Sequence, residues 1–184
     1  MNHERGQSLL EVIIAMTVGI LVVTALVFAT IFSLRNAQFA KNSAQATKLA
    51  QEGIERVRSG RDKNVQINLV STTDCPTSGN AVNSWDGSDS GSPIWNCKIH
   101  DSYGSGGNAY FKFIFTSLNL EFVDTNADFP SAPEEIPQSI FKRIIILSDD
   151  ASTYSTEKKV TVLVRWTDFA GPHESRLTTI LRKL

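Results

Sequence analysis

The run VIIAMTVGILVVTALVFATIFSL, Val12 to Leu34, holds 23 residues and not one charge, and nothing else in this 184-residue chain limits its fold as tightly. At about 1.5 Å per residue, a helix of that length covers the roughly 30 Å hydrocarbon core of a bilayer. A secretory signal has a shorter apolar region, about 7 to 15 residues, followed closely by a small-residue cleavage site. Here the A-x-A triplet Ala44-Gln45-Ala46 lies far downstream, beyond Arg35 and Lys41. The run therefore reads as a membrane span. Glu11 stands at its mouth, and a carboxylate in hydrocarbon costs several kcal/mol unless it is paired or neutralised. Glu11 asks for a partner.

Lys and Arg total 18 against 19 Asp and Glu, so the chain has no basic footprint and no nucleic-acid partner is indicated. The length allows one ordinary domain plus an appended element. Helical character continues past the span. From Arg35 to Arg61 there is no proline, and Phe39, Ala46, Ala50, Gly53, Ile54 and Val57 recur at three- and four-residue spacing. Lys41, Lys48, Glu52, Glu55, Arg56 and Arg58 form the wet face, with Glu52 and Arg56 placed as an i,i+4 pair. The stretch SGRDKN, 59 to 64, predicts the stop, with Gly60 as its permissive C-terminal residue.

Residues 71 to 109 are rich in Ser, Gly, Asn and Asp and read as a long surface loop. Cys75 and Cys97 both fall within it. In an exported domain the simplest pairing is one disulfide, worth about 3 kcal/mol by the chain-entropy estimate; in a cytoplasmic domain they are two free thiols. Trp85 and Trp95, inside the ring, are expected to pack over the disulfide rather than to serve as contact residues.

After Asn108 the period becomes two. YFKFIF sets Phe111, Phe113 and Phe115 on one face, and LNLEFV sets Leu118, Leu120 and Phe122 on one face. SIFKRIIIL places Phe141, Arg143, Ile145 and Leu147 opposite Lys142, Ile144 and Ile146, and KKVTVLVRWTD turns Val160, Val162, Val164 and Trp166 inward. A last strand, SRLTTILRK, follows the turn DFAGPH. Three closing strands on short turns imply an antiparallel sheet with one buried face, and the amphipathic helix has the matching face. The expected fold class is α+β: a long N-terminal α-helix, half membrane span and half amphipathic, packed on a C-terminal antiparallel β-sheet head.

RGQSLLEVIIAMTVGILVVTALVF resembles the N-terminal cleavage and methylation motif of type IV pilins and pseudopilins: a leader ending in Gly, then a hydrophobic helix whose fifth residue is Glu. The matching positions are Gly6, Gln7, Leu9, Leu10 and Glu11. The family usually has Phe or Met where this chain has Gln7, and often a kinking proline in the span, where this chain offers only Gly19. The stretch ATKLAQEGIERVRSGRD and the terminal VTVLVRWTDFAGPHESRLTTILRKL are similar to minor members of that family, while residues 64 to 139 resemble nothing nameable. The resemblance implies a pilin-like fold divided as a leader, 1–6, a transmembrane and assembly segment, 7–34, an amphipathic segment, 35–62, and a β-rich head, 63–184, with its disulfide loop at 75–97. It implies cleavage between Gly6 and Gln7 by a membrane-embedded prepilin peptidase, N-methylation of Gln7, and pairing of Glu11 with the freed amine, its own or a neighbour's, which sets the register of assembly. The implied partners are that peptidase and methylase, other pilin subunits through the helix, an inner-membrane assembly platform, and lipid before assembly. The implied location is the cytoplasmic membrane, single-pass with the head outside, and then a filament.

No catalytic constellation is present: the three histidines, at 3, 100 and 173, make no Ser-His-Asp or Cys-His spacing, and GSGGN at 104–108 lacks the strand-to-helix context of a phosphate loop. No enzyme and no cofactor are expected. Asp124, Asn126, Asp128 and Glu135 fall at the first, third, fifth and twelfth positions of a calcium-loop pattern, but Phe129 takes the glycine position and Pro130 follows. An Asx-rich turn is the expected reading, so no metal site is favoured. The function implied is a minor type IV pilin serving adhesion, motility or DNA uptake. The alternatives are a type II secretion pseudopilin and an anchored extracytoplasmic binding module that does not polymerise.

Overall fold

The structure is a computed structural model that describes residues 4–68, 75, 83–87, 92–102, 107–114, 117–124, 129–130 and 132–184, with side chains at all of these except 4–8, 83, 102 and 124. Helix α1 runs Glu4–Asp62. The chain divides into two compact units, Met1–Asn42 and Ser43–Leu184. The first is helical, and its apolar side chains from Leu9 to Leu34 are exposed. Within it Thr17, Thr24 and Thr30 donate their hydroxyls to the carbonyls of Ile13, Ile20 and Val27 at 2.7, 2.7 and 2.8 Å. Each hydroxyl is thereby satisfied inside the helix, as a segment surrounded by hydrocarbon requires.

The second unit is an α+β domain, the last turns of α1 packed on a sheet. The sheet order is β2-β1-β4-β3-β6-β7-β8, with β5 paired to β6. The strands are β1 Gln66–Asn68, β2 Asn83–Ser84, β3 Asn108–Phe113, β4 Leu120–Asp124, β5 Glu134–Glu135, β6 Lys142–Ser148, β7 Glu157–Asp168 and β8 Gly171–Arg182. All pairings are antiparallel except β1 with β4, which is parallel. A three-residue strand leaves too little periodicity to reveal that pairing beforehand. The expected period of two holds in β7, where Val160, Val162, Val164 and Trp166 are buried. The expectation of one buried face does not hold throughout. Ile144, Ile146 and Tyr110 form a second small cluster with Phe129, and Leu163 is also buried, so loop residues cover the far side of the central strands.

Helix α1 meets the sheet through small residues. Ala46, Ala50, Gly53, Ile54, Val57 and Gly60 are buried, whereas Phe39 is 42% exposed and lies in the first unit. A Cβ at Gly53 would fall 2.8 Å from Val162 Cγ1 and 3.3 Å from Arg143 Cδ. Gly53→Ala is expected to destabilise the domain by about 1–3 kcal/mol through overpacking, against a gain in helix propensity of about 1 kcal/mol. Thermal unfolding checks it, and an unchanged or raised midpoint would show that the strand yields freely.

The helix ends two residues later than the glycine suggests. Asn64 takes φ 49°, its N–H bonds the Arg61 carbonyl at 2.9 Å, and the Val65 N–H bonds the Gly60 carbonyl at 2.9 Å. This is a Schellman stop with asparagine in the left-handed position. Gly60 instead lies inside the helix, where a Cβ would come within 3.0 Å of Val65 Cγ2 and 3.4 Å of the Leu118 carbonyl. The 71–109 segment also departs from the surface loop expected. It contributes β2, a 3-10 turn at Ile94–Asn96 and a short helix α2, Ile99–Ser102. Trp85, Ile94, Trp95 and Ile99 join the main core, so an apparently polar stretch carries apolar anchors spaced too irregularly to show a period.

Candidate functional site

Gly6, Gln7 and Glu11 lie on the opening turns of α1. Four residues separate positions 7 and 11, so they share one helix face about 6 Å apart along the axis. Leu9, Leu10 and Val12 around Glu11 are exposed apolar side chains, and the exposed greasy surface continues to Leu34. An 18-residue window of this helix reaches a mean hydropathy of 2.8. The first unit is thus an apolar rod with a carboxylate near its start.

In the second unit Cys75 and Cys97 are joined by a disulfide across Cα atoms 4.3 Å apart. Trp85 and Trp95 pack with ring centres 5.9 Å apart, and Trp95 Nε1 donates to Asp86 at 3.0 Å. The insert is tied to the sheet by a buried charge pair. Lys158 is fully buried, and its Nζ donates to the Cys97 carbonyl at 2.6 Å and to Asp149. Asp149 also accepts the backbone N–H groups of Ile99 and His100 at 3.1 and 2.9 Å, and lies 2.6 Å from His100 Nδ1. Burial pushes the Asp149 carboxyl up, but the Lys158 bond and charge and the His100 bonds outweigh it and hold it below the ordinary carboxylate value. Burial lowers the Lys158 ammonium from its ordinary value against the pull of Asp149.

A second polar knot joins α1 to the sheet. Arg143, 1% exposed, donates Nε and Nη2 to Glu134 at 2.7 and 2.8 Å and Nη1 to the Leu49 carbonyl at 3.1 Å. Arg56 does not close on Glu52 as the helix spacing suggested. It donates to the Ser117 carbonyl at 2.7 Å and to Glu134 at 3.4 Å and stacks 3.8 Å above Phe113, while Glu52 turns to Arg143 at 3.5 Å. Burial, and after it the charge of Arg143, lower the Arg56 guanidinium from its usual value. These groups line a groove of about 530 Å³, but their donors are spent on one another, which makes the knot a fastening.

Sequence reasoning passed over both knots. Their signal is a cation in an inward register: Lys158 is in phase with Val160 and Val162, and Arg143 with Ile145 and Leu147. Of the calcium-pattern residues, Asn126, Asp128 and the side chain of Asp124 lie outside the described residues. Glu135 sits on β5, 3.2 Å from Lys142 Nζ. Among the described residues no three His, Cys, Asp or Glu side chains are grouped to hold a metal.

No curated protein and no solved structure matches the chain. Residues 1–27 match the family model described as the prokaryotic N-terminal methylation motif, which covers the whole Gly6 to Glu11 stretch. That motif implies processing by a prepilin peptidase and assembly with other pilins, the work of a structural subunit. With an apolar helix fit for a membrane anchor and an α+β head behind it, the chain bears the mark of a type IV pilin-like prepilin.

Proposed function

We propose that this chain is a minor type IV pilin, inserted with residues 1–6 on the cytoplasmic side and its head outside, and cut between Gly6 and Gln7. The observation that carries the reading is the coincidence of the methylation motif with an exposed apolar helix and Glu11 one turn from the new terminus. Cleavage frees the Gln7 amine, and methylation keeps its positive charge while making it less polar. A staggered neighbour's amine meets Glu11 only at one axial offset, so the buried pair selects that offset among the many that apolar rods otherwise allow. The head, carrying the disulfide insert as its distinctive part, is the portion displayed for adhesion or priming.

Gly6 has no side chain to hinder the backbone's approach to a protease cleft. Gly6→Leu is therefore expected to leave the full-length precursor in the membrane fraction and none in sheared filaments, as read by immunoblot in cells that make the peptidase. Normal processing of that variant would place the cut elsewhere and defeat the proposal.

A further inference from the structure

Across β3, β6, β7 and β8 the sheet pairs Asn108 with Ser148, Ser148 with Lys159, and Lys159 with Ile180. Residues directly opposed on neighbouring strands project from the same face of a sheet. These four therefore form one lateral row, about 14 Å long at the usual strand spacing. The row stands on the face away from α1, because the adjoining Ala109, Leu147, Val160 and Leu181 are the ones buried in the main core. On the row's own face, the next pair along β3 and β6, Tyr110 with Ile146, is buried and packed with Phe129. The polar row is not covered in that way: Asn108 and Ser148 are half-buried, and Lys159 and Ile180 are exposed.

The row lines a cavity of about 740 Å³, together with Asp149, Asp150 and Thr153 of the segment after β6. That volume lies within the range of roughly 300–1,000 Å³ usual for small-molecule sites. What it offers a ligand depends on which side chains are already spent. Asp149 is taken by Lys158 and His100, and Glu157 holds Arg182 at 2.9 Å. Asn108, Ser148, Thr153 and Lys159, by contrast, spend no side-chain hydrogen bond or ion pair on another described residue, and the Asp150 carboxylate meets only Ser152, at 3.5 Å. Two hydroxyls, a carboxamide, a carboxylate and an ammonium are left to bond a guest. A polyanion would be opposed by Asp150 and Glu157, and a cation by Lys159. An apolar guest would take these groups out of water without replacing their hydrogen bonds. A neutral guest rich in hydroxyls, each both donor and acceptor, answers all of them. Ile180, 59% exposed at the end of the row, adds an apolar patch for the C–H face of a sugar ring.

We propose that this cavity binds a neutral oligosaccharide laid along the row from Asn108 to Ile180, with Asp150, Thr153 and Lys159 bonding its hydroxyls. The inference goes beyond the filament role and does not rest on it, because every residue of the site belongs to Ser43–Leu184.

The test uses the full chain in lauryldimethylamine oxide, a detergent without sugar, titrated in a calorimeter with neutral trisaccharides of glucose, galactose, mannose and N-acetylglucosamine. At least one is expected to bind with millimolar affinity or tighter, and Asn108→Ala and Lys159→Ala are each expected to weaken it about 10-fold. Arg176→Ala, on the same face of β8 but outside the cavity, should leave binding unchanged. Lys159 is exposed, so its variant keeps the fold, and an unshifted thermal midpoint verifies that. Binding by none of the four sugars overturns the proposal. Sugar binding that survives both cavity substitutions, or that Arg176→Ala weakens equally, puts the site elsewhere and overturns it too. So does tighter binding of calcium chloride or of a sulfated disaccharide that the same two cavity substitutions abolish. None of these results bears on processing at Gly6, which the mature N-terminus reports separately.

Discussion

Glu11→Ala is expected to leave the chain firmly in the membrane yet reduce its incorporation into filaments by more than about 10-fold, since a register-setting pair worth only about 1.4 kcal/mol already shifts an equilibrium that far. The apolar run from Val12 to Leu34 is untouched by the change, so insertion persists. On the proposed function, what disappears is the carboxylate that would recognise a neighbour's amine at a single offset. Glu11→Gln sharpens the test: it keeps the size and a hydrogen-bonding carbonyl but not the charge, and is expected to fail likewise. Wild-type amounts of either variant in sheared filaments, measured against membrane content, would separate assembly from this carboxylate.

Lys158→Met is expected to destabilise the head by about 3–5 kcal/mol, because Asp149 is left buried without its counter-charge. For a domain of this size that lowers the unfolding midpoint by about 10 °C. The loss should appear first as faster amide exchange in the disulfide insert, whose Cys97 carbonyl and Ile99 and His100 N–H groups converge on this pair. The pH dependence has a definite sign. A carboxyl held below its ordinary value contributes stability above the unfolded value near about 3.9, and loses it as pH falls through the lower folded value. The gap between wild type and variant should therefore stay open at neutral pH and close below about pH 4. A gap that persists unchanged into strong acid would mean that Lys158 acts through packing alone.

The β6, β7 and β8 strands and the N-terminal helix were legible because each carries a long, regular period. Val160, Val162, Val164 and Trp166 alternate over a whole strand, and the apolar run is unbroken for 23 residues. The stop falls within the expected SGRDKN stretch, but Asn64 rather than Gly60 takes the left-handed position; only packing against Val65 and Leu118 shows that Gly60 is wanted for its lack of a Cβ. The core role of Trp85, Ile94, Trp95 and Ile99 was hidden by the Ser, Gly and Asp around them, since a disulfide-bound insert buries anchors without any period. The same holds for the polar knots. An inward Lys158 or Arg143 is visible in the alternation, but its partners, Asp149 and Glu134, come from loop and edge positions that only the fold brings near. The Gly6-Gln7 and Glu11 pattern was readable as a motif because it is local in sequence, and residues 1–27 match the N-terminal methylation motif.

The most direct measurement is the mass of the mature N-terminus, on protein recovered from cells that express the peptidase. Processing and register selection predict a chain that begins at Gln7 with a methylated amine. An unmodified chain still beginning at Met1 would leave Glu11 without that partner and reduce the molecule to a tethered head.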